Sequence, residues 1–297
     1  MTMSNAMKVP VSNRWKAWII VVLLPLLGGC SAVRLSYGQG PLLAYWWLDS
    51  QVDFTAEQAP LVRSALADWF AWHRSTQLPD YAQALGELAA AAAGPVSPSQ
   101  VCQQIEAWQR RAERAADRAL PAAAEQVRTM TAEQLHHIER KQAERQKELA
   151  AEHLQADQAE RQKAALARSL GRFESMYGTL DEAQRQQLAA ALAASPFDPE
   201  RWLSERRLRT ADFLRNVRQW QAEQADSATV QAGLRRLAGE MLRSPRAEYR
   251  DYSQRLQAAN CNLIAQLHNS ASPAQRQRAV GRLQGWQADL QALANGR

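Results

Sequence analysis

Apolar residues recur at three- and four-residue spacing along most of the chain. Val62, Leu66, Trp69 and His73 share one helical face, as do Val101, Ile105, Trp108, Ala112 and Ala115. A third stripe runs through Val230, Leu234, Leu237 and Met241, and a fourth through Ala279, Leu283, Trp286, Leu290 and Leu293. Stripes of this period bury against other helices. No stretch alternates apolar and polar positions with β-branched enrichment, so the pattern predicts an all-α, multi-helix bundle without sheet.

The stripes begin at local start signals. Thr55 with Gln58, Ser97 with Gln100, Thr131 with Gln134, Asp181 with Gln184, and Ser272 with Gln275 have the spacing of a capping box or its Asp variant. In that box the first side chain accepts from the N–H three residues on, while the Gln reaches back to the first N–H. Asp198-Pro199 and Ser244-Pro245 predict two further starts, with proline where its missing N–H costs nothing.

One segment departs from the striped pattern. From Thr131 to about Gly171 there is no internal proline or glycine, and "ERKQAERQKE" is polar on every side. This predicts one long, partly solvent-exposed helix over about 131–172, reaching roughly 60 Å at 1.5 Å per residue, and hence an elongated bundle. A break near His153 is the alternative and would keep the body compact. Possible subdomains 55–178 and 179–297 meet at the "MYGTL" turn.

The N-terminus carries a different pattern. Lys8, Arg14 and Lys16 precede the apolar run "WIIVVLLPLL", which is followed by Leu27-Gly28-Gly29-Cys30. A basic region, a short apolar core and small residues make a secretory signal peptide, too short to span a bilayer, which takes about 20 residues. Leu27 to Cys30 resembles the bacterial lipobox. That resemblance implies cleavage between Gly29 and Cys30 and a covalent lipid, with acyl chains such as palmitate, on Cys30. Ser31 at the next position favours the outer membrane over retention at the inner one. The expected organisation is a signal peptide over 1–29, a lipidated tether over 30–54 and an all-helical periplasmic domain over 55–297.

Removing the leader changes the charge. Of 36 basic and 30 acidic residues, three basic ones lie in the leader, leaving a net charge of +3. The high isoelectric point therefore does not argue for nucleic acid. Residues 197–297 carry 16 basic and 10 acidic groups, a surplus that solvates helix faces or meets an anionic partner. With Cys30 assigned to lipid, Cys102 and Cys261 remain as a possible disulfide, the alternative being two separate buried thiols.

Candidate chemistry is sparse. His73 continues an apolar stripe and reads as core. Glu133 and His137 share a face, but no H-E-x-x-H, G-x-S-x-G or phosphate-cradling glycine loop occurs. These features predict no catalytic residue, no metal and no cofactor beyond the lipid. Asn260 interrupts the stripe of Tyr249, Tyr252, Leu256, Leu263 and Leu267, as a register-setting or rim residue. Tyr45, Trp46 and Trp47, followed by Trp69 and Trp72, form an aromatic patch near the anchor. It suits either packing of the tether onto the body or a membrane interface, and packing is the expectation.

The stretch "SAVRLSYGQGPLLAYWWLDSQVDFTAEQ" resembles an uncharacterised family of proteobacterial all-helical lipoproteins, a domain of unknown function. "FTAEQ" and "MTAEQ" are similar to the L-T-x-x-Q repeats of small periplasmic stress chaperones, which cradle unfolded clients. Together these lead to an outer-membrane-anchored lipoprotein on the periplasmic face. Its expected role is non-enzymatic: binding, scaffolding or chaperone-like protection, with the membrane and an envelope protein as partners and no nucleic acid. The alternatives are an envelope enzyme with dispersed carboxylates and histidines, and a lipase-foldase-like steric chaperone.

Overall fold

The computed structural model describes residues 37–155 and 157–296. The expected signal peptide over 1–29, the expected Gly29–Cys30 cleavage point and the expected lipidation site Cys30 lie outside the described residues. From Pro41 onward the chain packs as one compact unit. Among the described residues it is α-helical and carries no strand.

In chain order the helices are α1 (Gly40–Val52), α2 (Gln58–Trp72), α3 (Leu78–Ala91), α4 (Pro98–Arg128), α5 (Ala132–His153), α6 (Gln158–Tyr177), α7 (Glu182–Ala193), α8 (Pro199–Ala222), α9 (Ser227–Leu242), α10 (Ala247–Ser270) and α11 (Pro273–Ala294). A π-helical turn, His73–Gln77, joins α2 to α3. α11 returns along α3, while α4 packs against α9, α10, α2 and α8. Helices from either side of the 176–180 turn therefore interleave, and α1 makes part of the segment expected as a tether helical.

Three apolar clusters hold the body. Ala124, Val127, Leu135, Ile138, Val217 and Val230 join α4, α5, α8 and α9. Leu85, Ala89 and Leu283 join α3 to α11. Leu180, Leu188 and Leu267 form the third cluster, with Leu166 and Phe173 packed on it. Gly233 lets α9 approach α8, because a Cβ there would sit inside the ring of Trp220. Of the expected stripes, Val230 and Leu283 are buried, whereas Met241 and Trp286 are exposed.

Most helix starts are made by the expected chemistry. Ser97, Thr131, Asp181 and Ser272 head complete capping boxes with Gln100, Gln134, Gln184 and Gln275. Regular α2 begins at Gln58, but the reciprocal bonds between Thr55 and Gln58 are both present, and the Ala59 N–H reaches the Thr55 carbonyl at 3.0 Å. Thr55 is thus the physical cap. Two expectations need correction. Ser244 does not start a helix: its hydroxyl donates to buried Glu205 at 2.8 Å, and α10 begins at Ala247. Nor is 131–172 one helix, because the chain leaves helical geometry after His153 and restarts at Asp157, whose carboxylate accepts from the Ala159 and Glu160 N–H groups. Among the described residues the longest helix is α4, with 31 residues, which passes through Pro121.

The glutamines of the boxes do more than cap. Gln58 and Gln134 exchange side-chain hydrogen bonds at 3.3 and 2.7 Å. Each also donates to the carbonyl five residues before its partner, Gln58 to Thr129 at 3.1 Å and Gln134 to Asp53 at 2.8 Å. Gln184 and Gln275 repeat the arrangement, bonding each other at 2.9 and 3.0 Å and reaching the Ser270 and Thr179 carbonyls. Each side-chain oxygen already accepts its own cap N–H, which turns each amide nitrogen toward the partner. The approach to the two clasps is also repeated. α1 and α6 end at left-handed Asp53 (φ 62°) and Gly178 (φ 81°), and a carboxylate of the preceding helix then accepts a chain N–H just beyond, Asp49 from Phe54 one residue on and Glu174 from Leu180 two residues on. The chain thus builds the same junction twice.

Candidate functional site

α5 and α6, which are separate helices on either side of the break after His153, both line a cleft of about 2200 Å³. α4 contributes Val101, Ile105 and Trp108 to one wall, and α10 adds Leu256, Leu263 and Ile264. α6 supplies the facing wall with Leu166, Ser169 and Phe173. α6 packs on α7 and α11 yet has no fully buried residue, because its apolar face is shared between those helices and the cleft. Cys102 and Cys261 are bonded to each other, with Cα atoms 5.5 Å apart, and so tie the α4 and α10 walls together. Their neighbours Val101 and Asn260 line the cleft, which places Asn260 on its rim.

One end of the cleft is aromatic and cationic. The His153 ring lies 5.9 Å from Phe197 and 5.3 Å from Trp202, edge-on to both. Arg168 donates to His153 Nδ1 at 3.3 Å and to the Glu152 carbonyl at 3.1 Å. A guanidinium only donates, so Nδ1 must accept, and the ring is held neutral with its proton on Nε2. Burial, reinforced by the positive charges of Arg168 and Arg172, holds His153 below the ordinary histidine range. Arg206 stacks over Trp202 at 5.3 Å, and its buried Nε has no hydrogen-bond partner among the described residues. Burial first, then Arg145 and Arg209, pushes its pKa down. Around the whole cleft six lysine and arginine side chains face three carboxylates. The lining as a whole therefore favours negative charge.

At the other end a pair, buried His268 and half-buried Tyr177, is closed on itself. Tyr177 Oη donates to His268 Nδ1 at 2.9 Å, and His268 Nε2 donates to the Gly94 carbonyl at 2.8 Å. Both ring nitrogens are committed, so this histidine fixes the 94–96 loop onto α10.

The sequence-picked residues fall in different places. Thr55, Thr131 and their glutamines lie at the first clasp, with Gln58 and Gln134 only 5% and 3% exposed, so the T-A-E-Q motif presents no glutamine to a client. The aromatic patch divides. Tyr45 is buried against Phe54 with Arg63 over its ring, whereas Trp46 and Trp47 are 57% and 62% exposed. The expected packing is thus corrected for the two tryptophans, which share an open apolar face with Leu42 and Leu43. Trp69 and Trp72 belong to a ring cluster with His73, and Trp69 Nε1 donates to the Ala115 carbonyl at 2.9 Å. His137 contacts the Ser50 carbonyl at 3.1 Å, and no group of three metal-ligating side chains occurs among the described residues.

Sequence reading missed Arg145, Arg168, Arg172 and Arg206. Arg161, Arg168 and Arg172 recur at seven and four residues on one face of α6, a signal available in the sequence but hidden by the general abundance of arginine. Residues 50–237 match a family of unknown function, DUF6279, and the chain belongs to that family. No curated protein and no solved structure matches the chain.

Proposed function

We propose that this member of a family of unknown function works by binding: it is a lipid-anchored protein of the outer membrane, facing the periplasm, that holds an envelope component in the cleft between α6 and the α4–α10 wall. The cleft itself carries the reading. Small-molecule sites occupy about 300–1,000 Å³, so a cleft of about 2200 Å³ has room for an extended ligand as well as a compact one. A non-enzymatic role is supported by the one histidine at its cationic end, whose ring is taken on both sides, Nδ1 by a guanidinium and Nε2 by the Glu152 carboxylate at 3.7 Å. The anchor is supported by the Leu27–Cys30 sequence and by the exposed face of Leu42, Leu43, Trp46 and Trp47 a short distance downstream. Amphipathic rings in that position suit a membrane interface. Chaperone-like protection, if exercised, would use the cleft or this face, because the motif glutamines are buried.

A photo-crosslinking residue placed at Ser169 in living cells tests the reading without presuming the ligand's chemistry. An adduct with an envelope component is expected. Adducts formed as readily from an exposed control position such as Arg255, with none specific to Ser169, would defeat it. Incorporation of labelled palmitate, lost in Cys30→Ser, tests the anchor separately.

A further inference from the structure

We infer that the occupant of the cleft is an anionic amphiphile, a long acyl chain carrying a single carboxylate or phosphate, with its head at the arginine end beside Trp202 and its tail along α4, α6 and α10. This rests on the binding role proposed above and names its ligand class.

The distribution of charge along the cleft carries the inference. Arg168 bonds His153 and Arg172 acts on it, Arg145 acts on Arg206, and Trp202 touches both His153 and Arg206, so the four cations gather around these two rings. Arg206 is the least satisfied of them: it has no carboxylate partner among the described residues, and its buried Nε has no acceptor. A partly buried guanidinium flanked by other cations is stabilised by an arriving oxyanion, which supplies both the missing acceptor and the opposite charge. Glu152 offsets part of this field through Arg168 and Glu148 part through Arg145, and Asp198 and Glu200 lie between Phe197 and Trp202, but over its whole length the lining keeps twice as many cations as carboxylates.

Beyond that end the walls change character. Ile105, Leu166, Phe173, Leu192, Leu263 and Ile264 line the middle, on helices whose backbone groups bond internally. Such walls offer no strand edge, so an extended peptide would find no partner for its N–H and C=O groups. A hydrocarbon chain needs no such partner and gains from burial of each methylene. One charged end and one long apolar run match a head and a tail better than an acidic helix, whose charges would be spread along its length.

The test uses the full chain in maltoside micelles, titrated with cis-parinarate, a fluorescent 18-carbon carboxylate, and with its uncharged methyl ester. Saturable parinarate binding is expected, at least tenfold tighter than the ester. The double substitution Arg168→Gln with Arg206→Gln should weaken the acid at least tenfold and leave the ester nearly unchanged. Ser169→Trp, which fills the cleft from α6, should abolish both, with unchanged helical circular dichroism showing that the variant folds. An acyl lysophosphatidate should displace the probe, and inorganic phosphate alone should not.

Equal affinity for acid and ester, or wild-type binding by Ser169→Trp, overturns the inference. Displacement by phosphate as effective as by lysophosphatidate overturns the acyl part. Displacement by an acidic amphipathic peptide at lower concentration than by any acyl anion replaces the lipid with a polypeptide. A specific crosslink at Ser169 in cells without acyl-anion binding would defeat this inference alone and leave the binding role standing.

Discussion

The two glutamine clasps have the same bonding pattern and different surroundings. Gln58 and Gln134 are both almost inaccessible, and the cluster of Val127, Leu135 and Val217 lies beside them. In the second clasp Gln184 is buried at 3% exposure, but Gln275 remains partly open to solvent. The comparison separates geometry from energy. Identical hydrogen bonds contribute more where their loss strands a group away from water, and less where water can take the vacated place.

That contrast can be broken most sharply at Gln134. Gln134→Leu removes the acceptor for the Thr131 N–H and the donor to the Asp53 carbonyl. Two backbone groups are then stranded, and a loss of about 3–5 kcal/mol is expected in urea unfolding. Next comes the disulfide, which lies apart from both clasps. Cys102→Ser with Cys261→Ser opens a link between residues 159 apart, and should cost about 3–5 kcal/mol in the chain-entropy picture. It should also loosen the cleft, read as weaker parinarate binding. At the second clasp, Gln275→Ala should cost only about 1–2 kcal/mol, because solvent replaces part of what is lost. A cost equal to that of Gln134→Leu would show that burial does not distinguish the clasps.

Acidification gives the smallest effect and leaves all four glutamines untouched. His73 and His153 are both held below the ordinary histidine value, chiefly by burial. The unfolded chain therefore takes up protons first as pH falls, so this stability is complete above about pH 6.5 and is lost on acidification through that value. A shallow fall in Tm between pH 7 and pH 5.5 is expected, and replacing both histidines with glutamine should flatten it.

What could be read in advance follows the range of the forces involved. The capping boxes at Ser97, Thr131, Asp181 and Ser272 were legible because each closes within four residues. Their pairing was not, since partners lie 76 and 91 residues apart and nothing in one box names the other. Breakers misled in both directions. Pro121 suggests an end to α4, yet Leu120, Ala124 and Val127 are buried around it, and that packing carries the helix through. Between Leu154 and Asp157 no proline or glycine signals an end. The only local sign there is Asp157, a good cap, and the chain turns because Leu149 and Leu154 face the cleft while α6 must reach α7 and α11. Leu166, Leu170, Phe173 and Tyr177 form an apolar face of α6 that the single polar helix expected over 131–172 obscured, and Arg206 meets Arg145 only through the tertiary fold.

The bond between Cys102 and Cys261 also sets an order of events. Wherever the chain emerges N-terminus first, Gln134 is available long before Cys261, and Cys261 before Gln275. The first clasp can therefore close on a nascent chain that still lacks α6 to α11. The covalent link comes second, and the second clasp, with α11 laid along α3, comes last. Assembly would run as a ratchet with a covalent middle step, so a chain stalled before α11 would already hold α4 and α10, the two helices of one cleft wall, at their final spacing.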